Sequence, residues 1–341
     1  MTIVEIAKRA GVSIGTVDRV VHGRGHVSEE KERRIREIIE AAGYQANPLA
    51  RHLKRGETFR IGVLLPELEK ESRYWDLIWT AIRRAFDGLS AFSFNPELFT
   101  YERTNQRSLE AAFSTMAAAD CNAWVIAPVM QAEIASLLDR TSPKPPVCFI
   151  DTAMPGLEAM TTVAQEPRRG GRVAGRLMEL LAPGAGTYAV VRPYLGAYNL
   201  NERVRGFIDR LSSRKDIRVA DLVCPETDPE EPAKTFSKAF AEYPDLRGIF
   251  AVTAFGHKIA SYLDSRSDFP AGRPALISYD LVEENVRCLR DGSIDCIISQ
   301  RPEEQGRLAV HQLYRHFVLR EAPDAGISMP IDVFFKENLD E

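Results

Sequence analysis

Cysteine is scarce and scattered. Cys121, Cys148, Cys224, Cys288 and Cys296 are the only five in 341 residues, and none forms a C-x-x-C pair or a cluster with histidine. That spacing argues against a zinc site and against a disulfide framework. Long apolar runs are missing as well, since none approaches the roughly 20 residues that a membrane helix needs. The opening MTIVEIAKRA mixes charged with apolar residues, unlike a secretory signal peptide. These absences point to a reducing, cytoplasmic setting. Catalytic signatures are also lacking: there is no GxxxxGK[ST], no HExxH and no GxSxG. Gly184-Ala185-Gly186 lacks the third glycine of a dinucleotide fingerprint and precedes a strand-like run rather than a helix. His311 and His316 lie five apart on one expected helix, not the four that suits a shared metal. The expectation is a chain with no cofactor, no metal and no enzymatic role.

What is present is the balance of a globular protein, with 45% hydrophobic and 27% charged residues. At this length two or three folding units are expected. The net charge of −4 is uneven. Residues 1–58 carry eleven Lys/Arg against eight Asp/Glu, or +3, which leaves −7 for the remainder. A basic head on an acidic body is the asymmetry of a small DNA-contacting module attached to something else.

The head reads as three short helices. Thr2 and Glu5 have capping-box spacing, and Ile3, Ile6, Ala7 and Ala10 recur at helical period. Gly11 ends that helix. Ser13 is an N-cap candidate for a second helix, Ile14 to Val21, with Val17, Val20 and Val21 inward. After Gly23 and Gly25, Ser28 is expected to cap a third, with Ile35, Ile38, Ile39 and Ala42 as its buried stripe and Gly43 as its stop. A Gly-containing turn between the first two helices is a helix-turn-helix pattern, although three helices alone fit a plain bundle equally well.

The string AGVS…TV.RV…HVS…R..I…..Y..N..AR.L within residues 3–56 closely resembles the DNA-binding head and hinge of the lactose/galactose-repressor family. The resemblance makes Ser13–Val21 the recognition helix, with its N-terminal residues at base edges of the major groove. Ile14, Gly15 and Arg19 then occupy base-reading positions. Ile14 can offer only apolar contact, Gly15 has no side chain, and Arg19 can make paired hydrogen bonds to a guanine. Ser13 and Thr16 are assigned to phosphates. Asp18 departs from the commoner serine and either orients Arg19, accepts from a cytosine, or simply faces solvent. Asn47-Pro48-Leu49-Ala50-Arg51-His52-Leu53 resembles the family's hinge helix. By that resemblance two hinge helices fold together in the minor groove, Leu53 wedges between base pairs, and Ala50 allows close backbone approach.

From residue 59 the pattern changes to short apolar runs alternating with helical stripes. RIGVLLP, AWVIAP, PVCFID, TYAVVR, GIFAVT, ALISYD and CIISQ read as buried parallel strands. Helices are expected over 74–90, 106–119, 168–181, 201–212, 231–241, 255–264, 281–290 and 303–319. Repeated β-α units imply open parallel sheets covered by helices, and their number implies two α/β lobes with a cleft at the strand ends. This again resembles the family's effector domain, a two-lobed fold shared with periplasmic sugar-binding proteins (type I). Expected chain crossings lie near 162, 294 and 325, giving lobe 1 as 59–162 and 294–325, and lobe 2 as 163–293 and 326–341.

The resemblance also assigns cleft residues. Tyr74 and Trp75 match an aromatic pair suited to a sugar face. Asp151 and Asp280 end strands. Arg203 opens an R-x-x-G-F string, and Gln300 matches a polar residue near a crossing. Charged partners make the stronger hydrogen bonds to hydroxyls. Thr253 and Ala254 stand where the family usually carries Asn-Asp, so one hydroxyl-binding carboxylate is missing. Arg73, Arg192 and Arg301 lie near expected cleft positions and leave an anionic ligand open, although each also reads as a surface residue.

The expectation is thus a ligand-controlled DNA-binding transcriptional regulator, in the family's usual mode a repressor. Its partners are a palindromic operator and a sugar, polyol, sugar acid or sugar phosphate, with no membrane contact. No apolar heptads occur near the carboxyl end, so a homodimer rather than a tetramer is expected. A solute-binding protein serving transport and a sugar-acting enzyme are the alternatives.

Overall fold

A computed structural model describes residues 1–21, 25–42, 56–68, 72–226 and 228–339. The hinge positions Asn47, Ala50 and Leu53, and the stops at Gly23 and Gly43, lie outside the described residues. The chain divides into two compact units, Met1–Thr58 and Phe59–Glu341.

The first unit holds α1 (Ile3–Ala10), α2 (Ile14–Val21) and α3 (Glu29–Ala41). Thr2 and Glu5 close a capping box on α1, and Gly11 ends it at φ 68°, a left-handed conformation costly for residues with a Cβ. The Ser13 hydroxyl caps α2 by accepting from Thr16 N at 3.2 Å. Ser28 precedes α3, but its side chain makes no capping bond, so that cap is a matter of backbone only. Ile6, Ala7, Ala10, Val17, Val20 and Ile35 form the core, with Ile38 and Ile39 half-buried around it.

The second unit contains two six-stranded sheets of the same order. The first joins β1 (Phe59–Pro66), β2 (Phe94–Tyr101), β3 (Ala123–Ile126), β4 (Val147–Asp151), β5 (Thr161–Gln165) and β11 (Gly326–Met329) as β11-β5-β4-β3-β1-β2. The second joins β6 (Gly186–Arg192), β7 (Ile217–Val223), β8 (Leu246–Ala251), β9 (Ala275–Tyr279), β10 (Cys296–Ser299) and β12 (Asp332–Phe334) as β12-β10-β9-β8-β6-β7. All described pairings are parallel except β10 with β12. The seven expected strands fill both sheet centres, where strands buried on two faces read as continuous apolar runs. Missed were β2 and β7, which are sheet edges with few buried residues and, in β2, an internal Pro96. The half-buried β5, the short β11 and β12, and a helix over Gln131–Arg140 were also missed.

The crossings fall later than expected. The chain leaves the first sheet after Gln165, returns after Ser299 and crosses again after Met329. So β10, expected in lobe 1, belongs to lobe 2, and β11 belongs to lobe 1.

The two crossing helices are related. Gln165-Glu166-Pro167 opens α7 (Pro167–Leu181), and Gln300-Arg301-Pro302 opens α12 (Pro302–Tyr314), each with a glycine six residues after the glutamine. Helix α7 leaves lobe 1 and packs on α8 (Tyr198–Leu211) of lobe 2. Helix α12 leaves lobe 2 and packs on α4 (Tyr74–Asp87) of lobe 1. Both contacts are main-chain close. A Cβ on Gly171 would strike the Arg203 carbonyl, one on Gly206 the Arg168 carbonyl, and one on Gly306 would approach the Ile78 carbonyl. Gly206 is thus the reason for a glycine three residues after Arg203. It lets α8 sit against α7 and sets where Arg203 points.

Gly206→Ala should cost about 1–3 kcal/mol by forcing the two helices apart. Denaturant unfolding of the full chain reads this directly. A loss below about 0.5 kcal/mol would mean the pair adjusts freely.

Candidate functional site

Two surfaces concentrate functional chemistry. On the head, α2 buries Val17 and Val20 and turns Ser13, Ile14, Gly15 and Arg19 to solvent, with Thr16 and Asp18 half-buried beside them. Ile14 is 49% exposed, unusual for an isoleucine on so short a helix with an available core. The Ser13 and Thr16 hydroxyls lie 2.9 Å apart at the helix N-terminus, among the unpaired N–H groups that favour an anion.

In the body, a narrow cavity of about 40 Å³ opens between the carboxyl ends of the two sheets. All six positions assigned from sequence, Tyr74, Trp75, Asp151, Arg203, Asp280 and Gln300, line it. The two aspartates occupy equivalent places in the two lobes. Asp151 ends β4 and Asp280 follows β9, and both have left-handed backbones, at φ 66° and 59°. Aspartate is among the few residues with a Cβ that tolerate this region. Both side chains line the cavity wall.

Around Asp151 the donors are neutral. Tyr74 Oη donates at 2.7 Å, Thr152 Oγ1 at 2.8 Å and Asn199 Nδ2 at 3.1 Å. Tyr74 therefore acts through its hydroxyl as well as its ring, which meets Trp75 edge-on at 5.0 Å. Burial, then the Asp151 and Asp280 charges, hold the Tyr74 phenol well above its ordinary value, so it remains a donor. Asp280 is held by Gln300, whose backbone N–H and side-chain amide each donate at 3.0 Å. Gln300 Oε1 accepts from Arg203 at 2.9 Å, and the same guanidinium donates to the Val252 carbonyl at 2.7 Å while lying 3.8 Å over the Tyr279 ring. Gln305 joins the halves by accepting from Asp151 N at 2.8 Å and donating to the Gln300 carbonyl at 3.0 Å.

Sequence reasoning missed further lining residues. Asn199 lies one helical turn before Arg203, so its position on the same face was readable. Arg103 and Glu226 follow the edge strands β2 and β7, whose weak patterns hid both loops. They form an ion pair at 3.0 Å, with side chains only 11% and 2% exposed. The Thr253 hydroxyl donates to the other Glu226 oxygen, and Arg103 stacks 4.6 Å over the Tyr194 ring. The carboxylate that Ala254 does not supply is thus present beside Thr253, brought from a different loop.

The three arginines that left an anionic ligand open do not line the cavity. Arg73 is largely exposed and pairs with Asp76 at 3.5 Å. Arg192 binds Asn201 at 2.7 Å and Asp221, and Arg301 binds Asp332. Among the described residues, no cluster of three or more His, Cys, Asp or Glu could hold a metal, and no helix is long and apolar enough to cross a membrane.

Burial raises the Asp280 carboxyl from 3.8 to about 7, against the opposing pull of Arg203 and Gln300. The folded chain then holds a proton that the unfolded chain releases, so this contribution to stability is complete at acid pH and is lost as pH rises through about 7. Asp280→Asn cannot titrate. The stability of the wild type minus that of Asp280→Asn should therefore fall as pH rises from ~4 to ~7. Denaturant midpoints across that range check it, and a constant difference would mean an ordinary carboxyl.

Residues 2–47 match bacterial regulatory proteins of the lacI family, and residues 61–320 match the periplasmic binding protein domain. The HTH-type transcriptional regulator AscG of Escherichia coli K12 is 40% identical over 85 residues, 25% of each chain. The chain thus spans about a quarter of that curated relative. Among solved structures, a protein of Bacteroides fragilis assigned to the LacI transcriptional regulators superposes with a TM-score of 0.73 at 24% identity, covering 83% of this chain and 98% of its own. GanP, a glucose-galactose binding protein of Geobacillus stearothermophilus, gives 0.71 at 22% identity, covering 83% and 99%. At these identities the structures speak for the fold alone. The chain thus joins a helix-turn-helix head that matches the lacI family of bacterial regulatory proteins to a body that belongs to the periplasmic binding protein domain family.

Proposed function

We propose that the chain is a sequence-specific DNA-binding transcriptional regulator, a cytoplasmic homodimer acting as a repressor, whose hold on DNA is set by a small polyhydroxy effector in the cleft. The observation that carries this reading is the outward face of α2. Ser13, Ile14, Gly15 and Arg19 stand uncovered on a helix whose opposite side is spent on the head's core. A helix of that width fits the major groove. In this reading Arg19 reads a guanine, Ile14 meets an apolar base edge, and Ser13 and Thr16 hold phosphates. Asp18 flanks them, and Asn47, Ala50 and Leu53 add contacts in the minor groove. Two heads related by a dimer axis call for a palindromic operator.

The cleft supports an effector with hydroxyl groups. Asp151, Asp280, Arg203 and Gln300, from both lobes, line one cavity with Tyr74 and Trp75. AscG is by its name a transcriptional regulator and GanP a sugar binder, and the two roles meet in one chain here. A transport or enzymatic role leaves the exposed face of α2 without a purpose.

Selection of DNA from a random pool with the full chain tests the reading. A twofold-symmetric site is expected. On that site Arg19→Ala should weaken binding by about 1–3 kcal/mol, on the order of 5- to 150-fold, and relax the preference at one base per half-site. A pool that yields no common sequence, or unchanged affinity in the variant, would overturn it.

A further inference from the structure

The Arg103–Glu226 pair has no place in the reading so far, and it stands at a decisive point. Arg103 comes from lobe 1 and Glu226 from lobe 2, and both line the inner cavity. They also line a second, outer cavity of about 460 Å³, so the pair sits between the inner chamber and its vestibule. Glu226 is held from its own lobe by the Thr253 hydroxyl, and Lys258 donates to its main-chain carbonyl at 2.5 Å. Its carboxylate is therefore fixed in place to receive the guanidinium.

The charges of the inner wall can be counted. Arg103 and Arg203 are cationic, and Asp151, Asp280 and Glu226 are acidic. Arg203 donates through its two terminal nitrogens to the Val252 carbonyl and to Gln300, beside Asp280. Arg103 is matched directly by Glu226. Asp151 is held by uncharged donors only, so its charge is not cancelled by a directly bonded cation. With Asp280 partly protonated near neutral pH, the wall lies between balance and one net negative charge. An anionic ligand would add a like charge to a buried site, where unpaired charge is most costly. Removing the Glu226 charge would shift the wall toward net positive.

We infer that Glu226 is the selectivity-determining residue of the cleft: by neutralising Arg103 across the two lobes, it restricts the site to uncharged polyhydroxy ligands and shuts out sugar acids and sugar phosphates. This rests on the cleft being an effector site, as proposed above. The second lone pair on each Glu226 oxygen remains available to accept a ligand hydroxyl. The carboxylate therefore both excludes anions and contributes to binding neutral ligands.

The test is thermal unfolding of the full chain with D-gluconate or inorganic phosphate, each against sodium chloride of equal ionic strength. Wild type should not respond. Glu226→Gln removes the charge and keeps the hydrogen-bonding shape, and it should gain a rise in midpoint with either anion. The double variant Arg103→Met/Glu226→Gln should lose that gain, which separates binding at this site from general stabilisation by excluded salts. Wild type stabilised by either anion, with the effect abolished by Arg103→Met, would overturn the inference. So would a Glu226→Gln protein that gains nothing, or a gain that persists in the double variant. Glu226→Ser carries the same expectation if Glu226→Gln loses its cooperative transition. None of these readouts involves DNA, so a failed operator selection and a failed selectivity test remain distinct results.

Discussion

Buried carboxylates are the constraint around which the body is arranged. Asp151, Asp280 and Glu226 are each within a few per cent of complete burial. An ionised group taken out of water is tolerated only where partners replace its hydration. Each is satisfied differently. Asp151 gathers three uncharged donors, Asp280 takes two bonds from one glutamine and retains a raised proton affinity, and Glu226 receives a guanidinium. The donors come from both lobes. Tyr74 and Arg103 belong to lobe 1, while Asn199 and Thr253 belong to lobe 2. Satisfying the charges therefore ties the two lobes together, and the groups that would contact a ligand are the same groups that hold the cleft in shape.

This dependence extends to the crossings. The Gln165 amide donates to the Ser299 carbonyl at 3.1 Å and to the Pro330 carbonyl at 2.8 Å, so one side chain binds all three connections between the lobes. Its carbonyl accepts from Tyr279 Oη at 3.3 Å, and the Tyr279 ring carries the Arg203 guanidinium. A continuous series of contacts thus runs from a cleft arginine to the connecting strands. The glycines at the α7–α8 contact hold the start of this series in place, because Arg203 cannot keep its position if α8 moves outward. Contiguity of this kind supplies a physical route for a lobe movement.

The parts of this arrangement that were legible in the sequence are those with local signals. Central strands announce themselves as apolar runs, so Asp151 and Asp280 could be placed at strand ends from the order of residues alone. Arg203 was legible through its string with Gly206-Phe207, although only the structure shows that the glycine serves helix contact. Arg103 and Glu226 were not legible, because the edge strands before them bury few residues and carry little pattern. Their pairing joins positions far apart in the chain, which no local period encodes. The lobe boundaries were misplaced for a related reason. Strand β10 reads as an apolar run, but which sheet it joins is a choice made by tertiary packing, and β11 is too short and exposed to read as a strand. Arg192 ends β6, Arg301 lies two residues past β10 and Arg73 precedes α4, and all three turn to neighbouring acids rather than to the cavity.

The head poses the opposite problem. Its fold was legible almost entirely, yet the surface it presents is sparse. Gly15 has no side chain, Ile14 can sense only apolar features, and Arg19 alone carries several fixed donors on the exposed face. The major groove distinguishes base pairs chiefly by donors and acceptors, with the thymine methyl as the one apolar mark. On the proposed reading, a single head therefore has little to discriminate with, about 1–3 kcal/mol for a good paired contact. That is too little to pick one site among the many competing sequences of a genome. Two heads acting on one operator double the sum, and sequence-dependent DNA shape adds a further term at positions that no side chain touches. A reading surface this small thus makes specificity a property of the assembled dimer on deformable DNA, which is why a ligand acting on the body could control it.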